Sequence, residues 1–185
     1  MKEVAIFGGT FDPPTLAHEA IVRLCLDRSD IDEVWLLPSG KRQDKPDMLD
    51  DPTRLAMLQA VQAGSFRDEP RLVVSDFEMQ LPQPSETYKT VQALLRTYPD
   101  HRFWFVFGSD SYHDMTNWRR GKALRRSIGM LVVPREGYVT PNQNKRVKPL
   151  ATSAPNKPLS STMVRHALQH GASIKKYLNL ETPLK

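Results

Sequence analysis

Residues 4–24 read Val4-Ala5-Ile6-Phe7-Gly8-Gly9-Thr10-Phe11-Asp12-Pro13-Pro14-Thr15-Leu16-Ala17-His18-Glu19-Ala20-Ile21-Val22-Arg23-Leu24. The apolar opening suits a strand buried on both faces. Gly8-Gly9 lets the chain turn sharply off that strand and brings bare backbone close to a ligand. Pro13-Pro14 stiffens the loop and sets the entry into a helix. His18 lies one turn beyond Thr15, on the same helix face. Backbone N–H groups, a positive helix end and a proton-carrying side chain are thus offered to one place, which suits a phosphate. A plain N-cap at Thr15 and a surface histidine are the bland alternative, and the surrounding glycines and prolines weigh against it. The dinucleotide spacing G-x-G-x-x-G is absent.

The rest of the chain repeats the strand–helix alternation. Short continuous apolar runs at 4–7, 33–38, 71–75, 102–108 and 128–134 predict strands. Helical patterns fill 15–28, 52–63, 87–97, 117–126 and 162–170. Asp51 is expected to cap the second helix with Pro52 at its first position, and Gly171 to end the last one. This order predicts an α/β fold: a doubly wound, mostly parallel sheet in a single domain spanning 1–185. Ligands of such sheets lie beyond the carboxyl ends of the strands. The loops at 8–18, 38–51 and 108–118 leave those ends and form the expected site. Residues 39–51 and 136–158 are expected to be long loops that order over a substrate or simply cover the surface.

Composition narrows the function classes. The chain has 185 residues, 39% of them hydrophobic and 25% charged, as in ordinary globular proteins. Its one cysteine, Cys25, excludes an internal disulfide and lies in an apolar helical run, so it reads as a small buried hydrophobe. A reducing, cytoplasmic setting fits. No signal peptide opens the chain and no apolar run is long enough to span a membrane. The net charge of +5 favours anionic partners, nucleotide or nucleic acid. The densest basic cluster is Arg119, Arg120, Lys122, Arg125 and Arg126, read as a solvated helix face.

Gly8-Gly9-Thr10-Phe11-Asp12-Pro13 with Thr15-Leu16-Ala17-His18 resembles the [H/T]-x-G-H signature of the nucleotidyltransferase superfamily. Its opening is most similar to the bacterial nicotinate-mononucleotide adenylyltransferases. Thr15 stands where those relatives carry a histidine, as in the phosphopantetheine adenylyltransferase branch, and Ala17 replaces a glycine. Leu159-Ser160-Ser161-Thr162-Met163-Val164-Arg165 resembles the family's I-S-S-T-x-x-R motif. Physically it is a second helix start, with hydroxyl donors and a forked, permanently charged guanidinium one turn in.

Other segments carry the same resemblance as far as about residue 174. Gly108-Ser109-Asp110 with Trp118 downstream resembles G-x-D…W, which places Asp110 near the nucleotide and Trp118 near the nicotinate ring. A helix anchor is the plain alternative for Trp118. Pro84-Ser85-Glu86-Thr87 resembles a segment whose threonine region contacts the nicotinate carboxylate, with Glu86 in place of tyrosine. An inward-pointing Glu86 would disfavour an acid acceptor. Lys41 and Lys45 follow the second strand, where relatives place a phosphate-binding lysine. Arg54 and Met57 resemble R-x-x-M, and residues 132–138 resemble V-x-R-x-G-Y near the adenine. The end of the chain departs from the family, which continues into a further helix.

The resemblance implies an adenylyltransferase on the route to NAD. The phosphate of nicotinate mononucleotide attacks the α-phosphorus of ATP and pyrophosphate leaves, with no covalent enzyme intermediate. It assigns His18, Thr15 and Arg165 to catalysis. Gly8, Gly9, Thr10, Phe11, Gly108, Asp110, Ser160, Ser161 and Thr162 fall to ATP, and Lys41, Thr87, Trp118 and Arg135 to the acceptor. Mg²⁺ is expected to ride on the substrate phosphates, with no protein metal ligand named. The partners are ATP and a mononucleotide, without membrane or nucleic acid; a homo-oligomer is compatible. Nicotinamide mononucleotide or phosphopantetheine as acceptor, a nucleotide-binding regulator without catalysis, and an RNA-binding module are the competing readings.

Overall fold

The computed structural model describes residues 1–41, 45, 47–84, 86–150, 161–170 and 173. Its strands are β1 (Lys2–Gly9), β2 (Glu33–Pro38), β3 (Leu72–Val74), β4 (His101–Gly108), β5 (Gly129–Val133) and β6 (Val147–Pro149). Its helices are α1 (Leu16–Leu26), α2 (Asp51–Ser65), α3 (Thr87–Thr97), α4 (Ser109–Asp114), α5 (Gly121–Ser127) and α6 (Ser161–Gln169). A 3-10 turn at Met115–Asn117 joins α4 to the segment before α5.

The strands form one sheet in the order β3-β2-β1-β4-β5-β6, and each neighbouring pair is parallel. The chain therefore winds from β1 out to one edge, returns to β4 in the middle, and winds out to the other edge. The switch lies between β1 and β4, and a crevice is expected above it. Alternate residues of the central strands serve opposite faces. Ala5 and Phe7 pack with Ile21, Val22 and Cys25 of α1 and Leu58 and Val61 of α2. Val4 and Ile6 pack with Val91 and Leu94 of α3 and Leu124 of α5. Helices thus cover both faces, and strands buried on both faces read as continuous apolar runs. Cys25 is fully buried and its thiol is pushed up to about 12 by that burial, which leaves it inert at neutral pH.

Three local readings are corrected. Asp50, not Asp51, caps α2: its carboxylate accepts from the Thr53 N–H at 2.7 Å, and Pro52 sits second in the helix rather than first. Residues 117–126 are not one helix. Arg120 adopts a left-handed φ of 61°, so α5 begins only at Gly121. The room there is set by backbone, because a Cβ on Gly121 would lie 1.7 Å from the Met115 carbonyl oxygen. Finally, the loop expected at 136–158 contains β6. Val147-Lys148-Pro149 is short and half polar, as edge strands are, and proline is tolerated there because one side of the strand needs no ladder donor. Gly171 and the tail from 174 onward lie outside the described residues.

Candidate active site

The carboxyl ends of β1 and β4 open into a cavity of about 370 Å³, lined among others by Gly8, Gly9, Thr87, Gly108, Asp110, Trp118 and Arg135. Three separated stretches of the sequence reading therefore meet at the switch point. Nothing in the protein requires Gly8 to lack a side chain, since the nearest atom to a Cβ there is the Leu37 carbonyl oxygen at 3.9 Å. Its bare backbone faces the cavity instead. Gly108 is different: a Cβ would meet Asp110 Oδ1 at 2.1 Å and Arg135 Nε at 3.0 Å. That Asp110 oxygen is shielded from solvent and has no hydrogen-bond partner in the protein. A buried acceptor without a donor is costly, so a ligand hydroxyl would satisfy it.

Thr15 and His18 form one unit at the start of α1. The Thr15 N–H donates to His18 Nδ1 at 2.9 Å, and the Thr15 hydroxyl lies 2.8 Å from the same nitrogen. The histidine takes the place of the Glu or Gln of a capping box. Because Nδ1 accepts from a backbone N–H, the neutral ring carries its proton on Nε2. Thr15 is 1% exposed, so its hydroxyl serves the ring rather than the open cavity. Phe11 and Phe7 flank the imidazole at ring-centroid distances of 5.1 and 5.8 Å. Burial among them, with the nearby charge of Arg135, lowers the His18 pKa from 6.5 to about 4. The Phe11 side chain is itself buried, which leaves only its backbone to meet a ligand.

The sign of that shift gives a prediction. Between pH 6.5 and about 4 the unfolded chain binds a proton at His18 that the folded chain refuses. Stability is therefore complete above pH 6.5 and falls as the pH drops toward 4, by at most about 3 kcal/mol. His18→Gln keeps a capping-box side chain without a titrating group. Denaturant unfolding at pH 7 and pH 4.5 should show a smaller acid loss in this variant than in the native chain; equal losses would remove His18 as the cause.

The second helix start docks onto the first loop. Ser161 Oγ donates to the Pro13 carbonyl at 2.8 Å, and Arg165 Nη1 donates to the Asp12 carbonyl with the Asp12 carboxylate 3.6 Å away. Arg165 Nη2 donates to Thr162 Oγ1 at 3.2 Å, and Thr162 itself is exposed. Two sequence motifs about 150 residues apart thus share one corner of the fold. Ser160 lies outside the described residues.

Arg54 carries no site role in the sequence reading. Arg54 is fully buried and its guanidinium ties three carbonyls together: Leu49 at 3.0 Å, Thr10 at 2.8 Å and Ser39 at 2.6 Å. It also meets the Asp51 carboxylate, so the loop after β1 and the loop after β2 hang on one side chain. Its resemblance to R-x-x-M was the available signal. Lys41 is exposed, whereas Lys45 Nζ reaches Thr10 Oγ1 at 3.3 Å. Trp118 donates its Nε1 hydrogen to Asp114 at 3.0 Å and meets Phe107 edge to face. Glu86 is ion-paired with Arg119 at 2.9 Å and Lys89 at 3.3 Å.

A family model described as cytidylyltransferase-like matches residues 6–167, which takes in both helix starts, the second half of β1 and every later strand. The chain belongs to the cytidylyltransferase-like family. Among its relatives is a protein of Bacteroides fragilis named "Probable nicotinate-nucleotide adenylyltransferase", 30% identical over 96% of this chain and 87% of that relative. An Oceanobacillus iheyensis protein of the same name is 32% identical over 96% of this chain and 90% of its own length. The nicotinic acid mononucleotide adenylyltransferase of Plasmodium falciparum, complexed with NaAD, superposes with a TM-score of 0.86 at 22% identity, covering 98% of this chain and 93% of that one. The same enzyme complexed with APC gives a TM-score of 0.81 over 98% and 92% of the two chains. The cytidylyltransferase-like fold is therefore shared along nearly the whole length. Among the described residues no helix is long and apolar enough to cross a membrane.

Proposed function

We propose that this chain transfers the adenylyl group of ATP to the phosphate of nicotinate mononucleotide, giving the deamido-NAD dinucleotide and pyrophosphate. The observation that carries this reading is the junction of the two helix starts. Ser161 and Arg165 of α6 are hydrogen-bonded to the Pro13 and Asp12 carbonyls that lead into α1 and His18. One corner therefore concentrates helix-end N–H groups, hydroxyls and a guanidinium, as a triphosphate requires. The adjoining cavity supplies Trp118 as an aromatic wall and Asp110 as an acceptor.

Each residue then has a role. The acceptor phosphate oxygen attacks the α-phosphorus while the bond to the β-phosphate oxygen breaks in line. His18 Nε2–H donates to an oxygen of the transferring phosphoryl group, where negative charge grows. Thr15 is a positioning residue that fixes the ring and its tautomer. Arg165, Ser161 and Thr162 hold the departing pyrophosphate. The backbone of Gly8, Gly9, Thr10 and Phe11 lines the nucleotide path. Gly108 leaves room for Asp110, which receives a ribose hydroxyl. Thr87, Trp118 and Arg135 face the acceptor, with Lys45 a better-placed cation than Lys41 beside Thr10.

Among the described residues no three His, Cys, Asp or Glu side chains gather as a metal cage. We take Mg²⁺ to be held by the substrate phosphate oxygens and water, since this ion keeps much of its hydration, and it would neutralise triphosphate charge there. We place the reaction in the cytoplasm, where a free buried thiol such as Cys25 is at home.

Arg165→Ala tests the triphosphate corner. Loss of charge-assisted hydrogen bonds costs about 2 kcal/mol, so KM for ATP should rise about thirtyfold, with a fall in kcat. Unchanged ATP affinity would remove α6 from the triphosphate site.

A further inference from the structure

Glu86 stands immediately before Thr87, and Arg119 immediately after Trp118; Thr87 and Trp118 both line the cavity. The Glu86–Arg119 ion pair therefore joins the two walls of the acceptor side from behind. Arg119 Nη1 lies 2.9 Å from Glu86 Oε1, and Lys89 Nζ lies 3.3 Å from the same oxygen. The other carboxylate oxygen of Glu86 is shielded and has no partner. Burial pulls this carboxyl upward, but the hydrogen bond from Lys89 and the charges of Arg119 and Lys89 outweigh it, so Glu86 stays an anion.

Backbone hydrogen bonds hold the turn that presents Arg119. Trp118 N–H donates to the Met115 carbonyl at 3.2 Å and Gly121 N–H to the Trp118 carbonyl at 2.9 Å. Arg120 holds a left-handed φ of 61°, and its guanidinium lies 5.2 Å from the centre of the Tyr88 ring on α3. A strained residue is kept where contacts to Glu86, just before α3, and to Tyr88 of α3 hold the turn in place, which points to a use for that placement.

Resting on the adenylyl-transfer reading above, we propose that Arg119 and Lys89 together set the acid-over-amide preference of the acceptor pocket by neutralising Glu86. A carboxylated pyridine ring approaching Thr87 and Trp118 meets an unfavourable like charge if Glu86 is bare. Paired with Arg119 and Lys89, the same carboxylate presents no net negative field. Both acceptors carry the same positive pyridinium, so Glu86 distinguishes them only through the carboxylate that one of them adds. Arg119 and Lys89 are thus specificity residues acting through Glu86, and their effect falls on acceptor binding rather than on the phosphoryl step.

The test is steady-state kinetics of the full chain with saturating ATP and, separately, nicotinate mononucleotide and nicotinamide mononucleotide. Arg119→Ala combined with Lys89→Ala leaves Glu86 unpaired and should raise the ratio of nicotinate KM to nicotinamide KM about tenfold, with kcat within about twofold of native. The Arg119 and Lys89 side chains are 74% and 54% exposed, so the fold tolerates their loss. Arg119→Lys should keep the native ratio of the two KM values. Adding Glu86→Gln to the double variant should restore that ratio, because the repelling charge is gone. Equal rises for both acceptors, or a ratio that Glu86→Gln fails to restore, would overturn the role of the pair while leaving adenylyl transfer standing. A native chain that turns over neither acceptor would overturn the adenylyl-transfer reading, and this inference with it.

Discussion

His18→Ala is expected to lower kcat about a thousandfold while leaving KM for ATP within a few-fold of native. In the proposed mechanism the imidazole donates from Nε2 to an oxygen whose negative charge grows during transfer, and removal of one such donor typically costs a factor of 10²–10³ or about 3–4 kcal/mol. That mechanism holds the ground-state triphosphate elsewhere, on Arg165 and the hydroxyls of α6, so affinity should survive. The locked ring makes the loss large. Nδ1 is tied to Thr15 at 2.9 Å, so no ring reorientation is needed as the transition state forms. His18→Asn should not rescue the rate, because its shorter side chain cannot both accept from Thr15 and donate to the phosphoryl group. Equal kcat in the native and alanine proteins would exclude His18 from the transfer step.

Arg54→Ala is expected to destabilise the fold by about 3–5 kcal/mol. The side chain is fully buried, and its removal strands the carbonyls of Thr10, Ser39 and Leu49 without donors. Arg54→Lys should recover little, since an ammonium lacks the planar fork that reaches them together. Denaturant unfolding measures the loss directly. Where the variant remains folded, KM for ATP should also rise, because Thr10 and Ser39 belong to the loops above β1 and β2. A variant as stable as the native chain would mean that these loops are held by other contacts.

Much of this was legible in the sequence, for physical reasons that differ by element. β1, β2, β4 and β5 are buried on both faces, and uninterrupted apolar runs such as residues 103–107 announce that burial. β6 was hidden because an edge strand needs no such run: Val147 is buried while Lys148 and Pro149 are only half covered. Helix α5 began late because Arg120 is left-handed, and nothing about an arginine signals that. Among site residues, Thr15 and His18 were visible as a helix start. Their mutual hydrogen bond, which makes Thr15 the partner that orients the ring, depends on side-chain geometry that spacing alone does not define. Arg54 and Glu86 show the same limit. In the sequence both are only motif letters, and their contacts, the loop carbonyls for one and Arg119 and Lys89 for the other, exist only in the folded chain.

Pyrophosphate release tests the central claim most directly. The chain would be incubated with ATP and Mg²⁺ alone, then with nicotinate mononucleotide, nicotinamide mononucleotide or phosphopantetheine added, and the dinucleotide product followed by chromatography. The account predicts pyrophosphate and deamido-NAD dinucleotide in equal amounts with nicotinate mononucleotide, and no pyrophosphate from ATP alone. Tight ATP binding with no pyrophosphate from any acceptor would contradict it and leave a nucleotide-binding protein without transfer chemistry.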